Sequence, residues 1–428
     1  MFGRRARRTC RVGLALVLAL SLGAVPPASA QAATPTPQPP PPTPVPVPGG
    51  GTSPSPFPTR LVTPSPSTQP PKLSARAAML ADLDTGQVLY QQDADARRPI
   101  ASLTKIMTAL LAIRRTDPRE VVTVSPDAAA PHRTVGMSEL GLLPGERITV
   151  ENLLYALLLQ SANDAADVLA EHVSGSVEAF VEAMNAEAAR LGMRDTRFAS
   201  PSGLDDDGYS TARDLVTLTR AAFDSPLFAR IVRTQFHEIP SPSGVPRIVQ
   251  NRNVLLWLYP GALGVKTGFT SAAGFCLVGA ATRDGVRLVA VVLGEPREPF
   301  SDAAALLDYG FTTFHRVRLA TEGQSVGSVA IGGRRVPVRA GASRWALAPI
   351  DAPVRRRVVA EPGVAFPPAV GERVGVLVVS TPNGTLGRVP VVVGSVPGPP
   401  EPAPGPWWWR AGSTVAHAVA SLLAAVFG

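Results

Sequence analysis

Of the 41 basic side chains in this chain of 428 residues only three are lysines, Lys72, Lys105 and Lys266, and the other 38 are arginines. Arginine cannot give up its proton in a protein, whereas a lysine ammonium is a compact charge whose pKa falls readily on burial. A chain so biased to arginine keeps lysine where one of those two properties is needed. Lys105 follows Ser102 by three residues in Ile100-Ala101-Ser102-Leu103-Thr104-Lys105, just after Pro99 and at the head of an apolar helical run. On a helix those two side chains share a face. A serine hydroxyl is a poor nucleophile until a base removes its proton, and a lysine kept neutral by burial and a nearby cation can be that base. The N-terminus of the helix adds unpaired N–H groups that favour developing negative charge.

Two further groups complete a constellation. Ser161-Ala162-Asn163 lies between apolar segments, and in an extended conformation its hydroxyl and amide would point the same way, one to relay a proton and the other to hold a peptide carbonyl. Val265-Lys266-Thr267-Gly268 reads as a strand that a substrate peptide could line, with Lys266 and Thr267 on a carboxylate and the glycine admitting a second backbone. In this reading the charge of Lys266 also helps to keep Lys105 neutral. Each group has a plain structural alternative when taken singly: a solvated Ser/Lys pair, an N-cap for the next helix, an exposed edge strand.

The elements that must position these residues are mixed. Ala77–Leu83 and Gln87–Tyr90 read as strands around Asp84-Thr85-Gly86, and Gly274–Gly279 and Val286–Leu293 as a hairpin in a buried sheet, turning at Arg283-Asp284-Gly285. Helical runs fall at Ile106–Ile113, Leu153–Gln160, Asp164–Val173 and Val177–Leu191, the last from a Ser176 cap to a Gly192 stop. From Val317 to Val393 short valine-rich runs alternate with turn pairs at Gly332-Gly333 and Asn383-Gly384, which makes a small all-β domain. No cluster of acid, His or Cys residues occurs in it, so its expected role is structural.

Composition bounds the rest. Residues 1–30 combine five arginines, the apolar run Val12–Val25 and Ala28-Ser29-Ala30, the pattern of a secretory signal peptide. Its removal lowers the formal charge from +8 to +3, so the basic balance is no argument for nucleic acid. Cys276 then remains alone in an apolar run, a buried small side chain with no disulfide partner. Residues 31–72 hold 16 of the 45 prolines and read as a disordered stalk, and 397–406 as a proline-rich linker. Residues 407–428 open with three tryptophans and form an apolar helix with a polar stripe of Thr414, His417 and Ser421, suited to crossing a membrane or to lying on one. The five histidines show no ligand spacing, and neither a metal nor a cofactor is expected.

Ser-x-x-Lys, Ser-x-Asn and Lys-Thr-Gly in this order resemble the penicillin-recognising serine enzymes. The text around them, Arg98-Pro99-Ile100-Ala101-Ser102-Leu103-Thr104-Lys105-Ile106-Met107-Thr108-Ala109, Leu158-Leu159-Gln160-Ser161-Ala162-Asn163-Asp164-Ala165-Ala166 and Gly264-Val265-Lys266-Thr267-Gly268-Phe269-Thr270, is similar to the low-molecular-weight D-alanyl-D-alanine carboxypeptidases. The resemblance implies an α+β catalytic domain over 73–316, an antiparallel sheet with helices on both faces, followed by a β-rich accessory domain at 317–396 and an anchor at 407–428. It implies Ser102 as nucleophile, Lys105 as its base and Ser161 as proton relay. Asn163, Lys266, Thr267 and Gly268 would bind the stem peptide, with the N–H groups of Ser102 and Phe269 as the oxyanion hole.

The implied partners are peptidoglycan stems ending in D-Ala-D-Ala, β-lactams as covalent inhibitors, and a membrane through the C-terminal helix, on the outer face of the cell membrane. Two departures bear on substrate preference. Ser200-Pro201-Ser202-Gly203-Leu204 stands where relatives often have Asn-Pro-x-Gly-Leu, and only Arg297 is a loose match to an arginine that assists carboxylate binding. A D,D-endopeptidase, a β-lactamase and an inert wall-binding scaffold are the competing readings. Ala162, where class A β-lactamases have Asp, speaks against the second, and the intact Ser102, Lys105, Ser161 and Lys266 against the third.

Overall fold

The computed structural model describes residues 67–130, 138–205, 207–396 and 407–427. The expected leader at 1–30, most of the stalk at 31–72 and the linker at 397–406 lie outside the described residues. In chain order the first half contains β1 (Ala77–Asp82), β2 (Val88–Gln92), a 3-10 turn at Ala101–Thr104 that runs into α1 (Lys105–Arg115), β3 (Val121–Thr123), β4 (Arg147–Thr149), α2 (Val150–Tyr155) and a π-helical turn at Ala156–Gln160. There follow α3 (Asn163–Ser174), α4 (Val177–Leu191), α5 (Ala212–Phe223), α6 (Pro226–Arg233), β5 (Phe236–Ile239), β6 (Arg247–Gln250), α7 (Leu255–Leu258), β7 (Ala262–Thr270), β8 (Gly274–Arg283), β9 (Val286–Glu295) and α8 (Pro299–Thr313). Seven strands come next, β10 (Phe314–Ala320), β11 (Ser325–Ile331), β12 (Arg334–Ala340), β13 (Arg344–Pro349), β14 (Arg355–Ala360), β15 (Arg373–Thr381) and β16 (Gly384–Val393), and then α9 (Trp407–Phe427).

The central sheet is antiparallel in the order β2-β1-β9-β8-β7. Its middle strands read as unbroken apolar runs because both faces are covered. On β9, Val289, Val291 and Leu293 enter one core and Leu288, Ala290 and Val292 enter the other, the period of two that a pleated strand imposes. Helices α1, α3, α4, α5 and α6 contribute to the first core, and α7 and α8 to the second. Strand β7 is the edge of this sheet. Both hairpins read from sequence form, as does α4, where Ser176 Oγ accepts from Ala179 N at 3.1 Å and Gly192 closes the helix at φ 79°.

Strands β11-β12-β16-β15-β14 make a second sheet and β10-β13 a third, with a shared core of Val336, Val338, Leu377, Val379, Val389 and Val391 together with Leu319 and Ala346. This β-rich region is held to the central sheet by Gln87, whose amide donates to Leu347 O at 2.6 Å and accepts from Leu347 N at 2.8 Å. Among the described residues no helix is long and apolar enough to cross a membrane, α9 included. Of the two dispositions left open for the C-terminal helix, crossing therefore finds no support. Its described side chains from Val415 on are exposed.

Candidate active site

Ser102 lies in the 3-10 turn and Lys105 is the first residue of α1, so the one-turn spacing carries the ammonium back to the hydroxyl: Lys105 Nζ is 3.0 Å from Ser102 Oγ. Lys105 is fully buried. It also donates to Asn163 Oδ1 and to the carbonyl of Ser202, each at 2.7 Å. A neutral amine has two N–H bonds and one lone pair. With both hydrogens tied to acceptors that cannot donate, the lone pair is left for the Ser102 hydroxyl, the arrangement a general base requires. Burial brings the Lys105 pKa down to about 7; Asp167 and Asp164 oppose the shift, and the positive charge of Arg252 adds to it.

The nucleophile turn is held under strain. Ala101, immediately before Ser102, has φ 49°, a left-handed conformation that costs a non-glycine residue about 1–3 kcal/mol and persists where the surroundings enforce it. The enforcing segment is Ser200–Leu204. A Cβ on Gly203, itself at φ 73°, would sit 2.1 Å from the Ala101 carbonyl oxygen. Pro201 O accepts from Thr108 Oγ1 at 2.6 Å on α1, and Ser202 O is the Lys105 acceptor. From the other side, Gly268 on β7 lies so close that a Cβ there would be 3.1 Å from both Ile100 O and Ser102 N. The glycine of Lys-Thr-Gly thus allows an edge strand to rest on the nucleophile turn.

Ser161 and Asn163 are buried beside this centre, but not in the extended form expected. The π-helical turn at Ala156–Gln160 ends in Ser161 at φ 68°, ψ 31°, and Asn163 already belongs to α3. No side chain caps α3, so the capping alternative does not hold either. The turn is fixed by Asp164, whose buried carboxylate accepts from the N–H groups of Leu140, Gly141, Leu142 and Ala165 at 2.9–3.1 Å. Asn163 N donates to Ser138 O at 2.8 Å, and Ser138 Oγ to Gln160 O at 2.6 Å. No hydrogen bond joins Ser161 Oγ to either lysine among the described residues.

Lys266 is buried on β7 and donates to its neighbour's carbonyl, Thr267 O, at 2.9 Å. Its pKa is driven well below the usual lysine range, first by burial and then by the charges of Lys105 and Arg252. Repulsion between two cations is mutual, so each lysine disfavours the charged form of the other, and Arg252 adds to the depression of both. Phe269 is exposed, its ring 4.5 Å from that of Phe275 across the β7–β8 turn. Arg297 is exposed in the segment between β9 and α8, whereas Arg252, largely withdrawn from solvent and with no carboxylate partner among the described residues, acts on both lysines. Sequence reasoning missed Arg252. Its one signal is Asn251-Arg252-Asn253, a charge between two amides at the head of an apolar run.

A serine with a buried, half-neutral lysine at hydrogen-bond distance, under an edge strand that bears a second lysine, defines the lysine-assisted class of serine acyl-transfer enzymes. The chain belongs within that class to the D-alanyl-D-alanine carboxypeptidase family, peptidase family S11, whose model matches residues 65–297. It is 30% identical over 334 residues to the D-alanyl-D-alanine carboxypeptidase DacF of Bacillus subtilis, covering 74% of this chain and 84% of that one. It is 42% identical over 259 residues to DacB2 of Mycobacterium tuberculosis, covering 58% and 87%. Among solved structures, penicillin binding protein 5 from Haemophilus influenzae superposes with a TM-score of 0.67 at 28% identity, over 77% of this chain and 98% of that one. The expected fold, an antiparallel sheet with helices on both faces followed by a β-rich region, is the fold observed.

Proposed function

We propose that the protein is a serine-type D-Ala-D-Ala carboxypeptidase that trims the terminal D-alanine from peptidoglycan stems through an acyl-enzyme and is acylated by penicillin in the same way. The observation that carries this reading is the Lys105 amine, buried, 2.7 Å from each of two acceptors and 3.0 Å from Ser102 Oγ, so that in its neutral form the lone pair faces the hydroxyl. In this mechanism Lys105 takes the Ser102 proton as Oγ attacks the carbonyl of the penultimate D-Ala. The oxyanion develops against the N–H groups of Ser102 and Phe269, donors of a kind whose individual loss costs about 2.7–4 kcal/mol. The C–N bond breaks, a proton passes to the departing amine by way of Lys105 and Ser161, and water then cleaves the ester.

The peptide would lie antiparallel to the open edge of β7, steadied by Asn163. Its terminal carboxylate would meet Lys266 and Thr267, and that negative charge would raise the Lys266 pKa against the burial and repulsion that lower it. We place the catalytic domain at 73–316 and the accessory domain at 317–396, with export by the leader at 1–30 and α9 lying on the outer surface of the membrane. Mass spectrometry after incubation with penicillin, run beside D-alanine release from a pentapeptide ending in D-Ala-D-Ala, tests the proposal. An adduct on Ser102 with release is expected. An adduct without release points to cross-link hydrolysis, and absence of both removes the enzyme reading.

A further inference from the structure

The two halves of the chain carry opposite charge. Residues 73–313 hold 22 lysines and arginines against 28 acids, whereas 314–396 hold 11 arginines, no lysine and four acids. The arginines are not scattered. Directly paired residues of an antiparallel sheet share a face, and the register sets Arg357, Val378 and Arg388 in one row and Arg339, Val392 and Arg373 in another. The alternate positions Leu377, Val379, Val338 and Val391 fill the core, so these rows lie on the outer face of the sheet. Arg335 and Arg355 occupy the same alternation, four residues from Arg339 and two from Arg357 respectively. All six side chains are exposed. Arg373 pairs with Glu361 at 2.7 Å. Arg335, Arg339, Arg355, Arg357 and Arg388 form no ion pair among the described residues.

Five guanidinium groups without a carboxylate partner on one sheet face repel one another, and their concentration there points to an external use. We infer that this face binds the headgroups of an anionic phospholipid bilayer. The face is a sheet surface with valines between the arginines rather than a groove, which suits a planar array of phosphates better than a single polymer chain. Thirteen residues separate Val393 from α9, at most about 45 Å of extended chain. In α9 the exposed Val415, Val419, Leu422 and Leu423 recur at helical spacing, so sheet and helix address the same surface. To that extent the inference rests on the surface-lying reading of α9, and it is independent of the chemistry at Ser102. The catalytic half, net negative, is repelled by the lipid that attracts the sheet, which orients the molecule.

The test is flotation of the full chain with vesicles of phosphatidylcholine alone and of phosphatidylcholine with about one third phosphatidylglycerol, at about 0.05 M and about 0.5 M salt. The variant replaces the five arginines together (Arg335→Gln, Arg339→Gln, Arg355→Gln, Arg357→Gln, Arg388→Gln). A second variant replaces the same five by lysine. Each arginine that reaches the headgroups strengthens binding about fivefold, so the glutamine variant is expected to lose at least about 100-fold on anionic vesicles at low salt. The lysine variant recovers most of it, and D-alanine release from a soluble peptide stays unchanged in both, which certifies the fold. Neutral vesicles report α9 alone, and failure there counts against the helix without touching the arginines. Equal binding of wild type and glutamine variant to anionic vesicles overturns the inference. So does an arginine dependence as strong with soluble polyphosphate as with vesicles, which would reassign the face to a polyanion chain.

Discussion

Lys105 can act as a base only in its neutral form, and with its pKa near 7 the rate of acylation is expected to rise with pH through that value and then level. Arg252 contributes to the depression, so Arg252→Gln is expected to move the acid limb of kcat/KM to higher pH, with Arg252→Lys restoring it in part. An unmoved limb removes Arg252 from this role. Lys105→Arg is expected to be as inactive as Lys105→Ala, by 1000-fold or more on the scale of lost general-base catalysis, because a guanidinium stays protonated. Near-normal penicillin acylation in the arginine variant would sink the assignment. Lys266 makes the converse prediction. Because burial holds the Lys266 pKa well below the usual lysine range and a bound carboxylate would raise it, binding of a carboxylate-bearing product peptide is expected to take up protons. Calorimetry in buffers of different ionisation enthalpy measures that uptake, and Lys266→Met is expected to abolish it. These two lysines stood out in the sequence because arginine is the rule elsewhere. Arg252 did not stand out for the same reason, being one of 38 and marked only by its two flanking amides.

Among the elements, the strands and helices with a clean period were legible, and the pieces that aim the chemistry were not. A hairpin needs only alternation and a turn, and α4 only a cap and a stop, all local properties. The left-handed Ser161 follows from a π-helical turn that packing imposes, and the strained Ala101 from contact with a loop a hundred residues away, so neither leaves a local trace. Glycine is where such contacts surface. Gly203→Ala puts a methyl group against the Ala101 carbonyl at a backbone angle that L residues rarely adopt. It is expected to lower stability by about 1–3 kcal/mol and activity with it. Gly268→Ala meets Ser102 N and Ile100 O at 3.1 Å, and a shift of a few tenths of an ångström relieves it. The expected result is an intact fold, an unchanged melting temperature and about tenfold slower acylation, since displacements near 1 Å at a reacting centre cost about 100-fold. If acylation is unaffected, β7 does not set the position of the nucleophile.

For the molecule as a whole, holding two lysines in the core makes stability depend on pH in the same direction as acid-labile carboxylates, but in a window above neutrality rather than below it. The unfolded chain keeps each lysine protonated up to about 10.4, whereas in the fold Lys105 is neutral above about 7 and Lys266 is depressed as well. Between those values the unfolded state binds more protons, so stability rises with pH, by up to about 1.4 kcal/mol per unit for each lysine. Burial acts with the other sign on thiols and phenols. Burial pushes the Cys276 thiol up to about 11, and Tyr259 is raised by burial and then by Asp308. Those groups hold their protons in the fold after the unfolded chain has lost them, which removes stability above about pH 9. Urea unfolding is therefore expected to show stability climbing from pH 7 to about 9 and flattening beyond. In Lys105→Met one proton's worth of that slope disappears while the flattening remains. A wild-type stability that falls from pH 7 to 9 would mean that the lysines stay charged in the folded core, and would take with it the neutral base on which acylation depends.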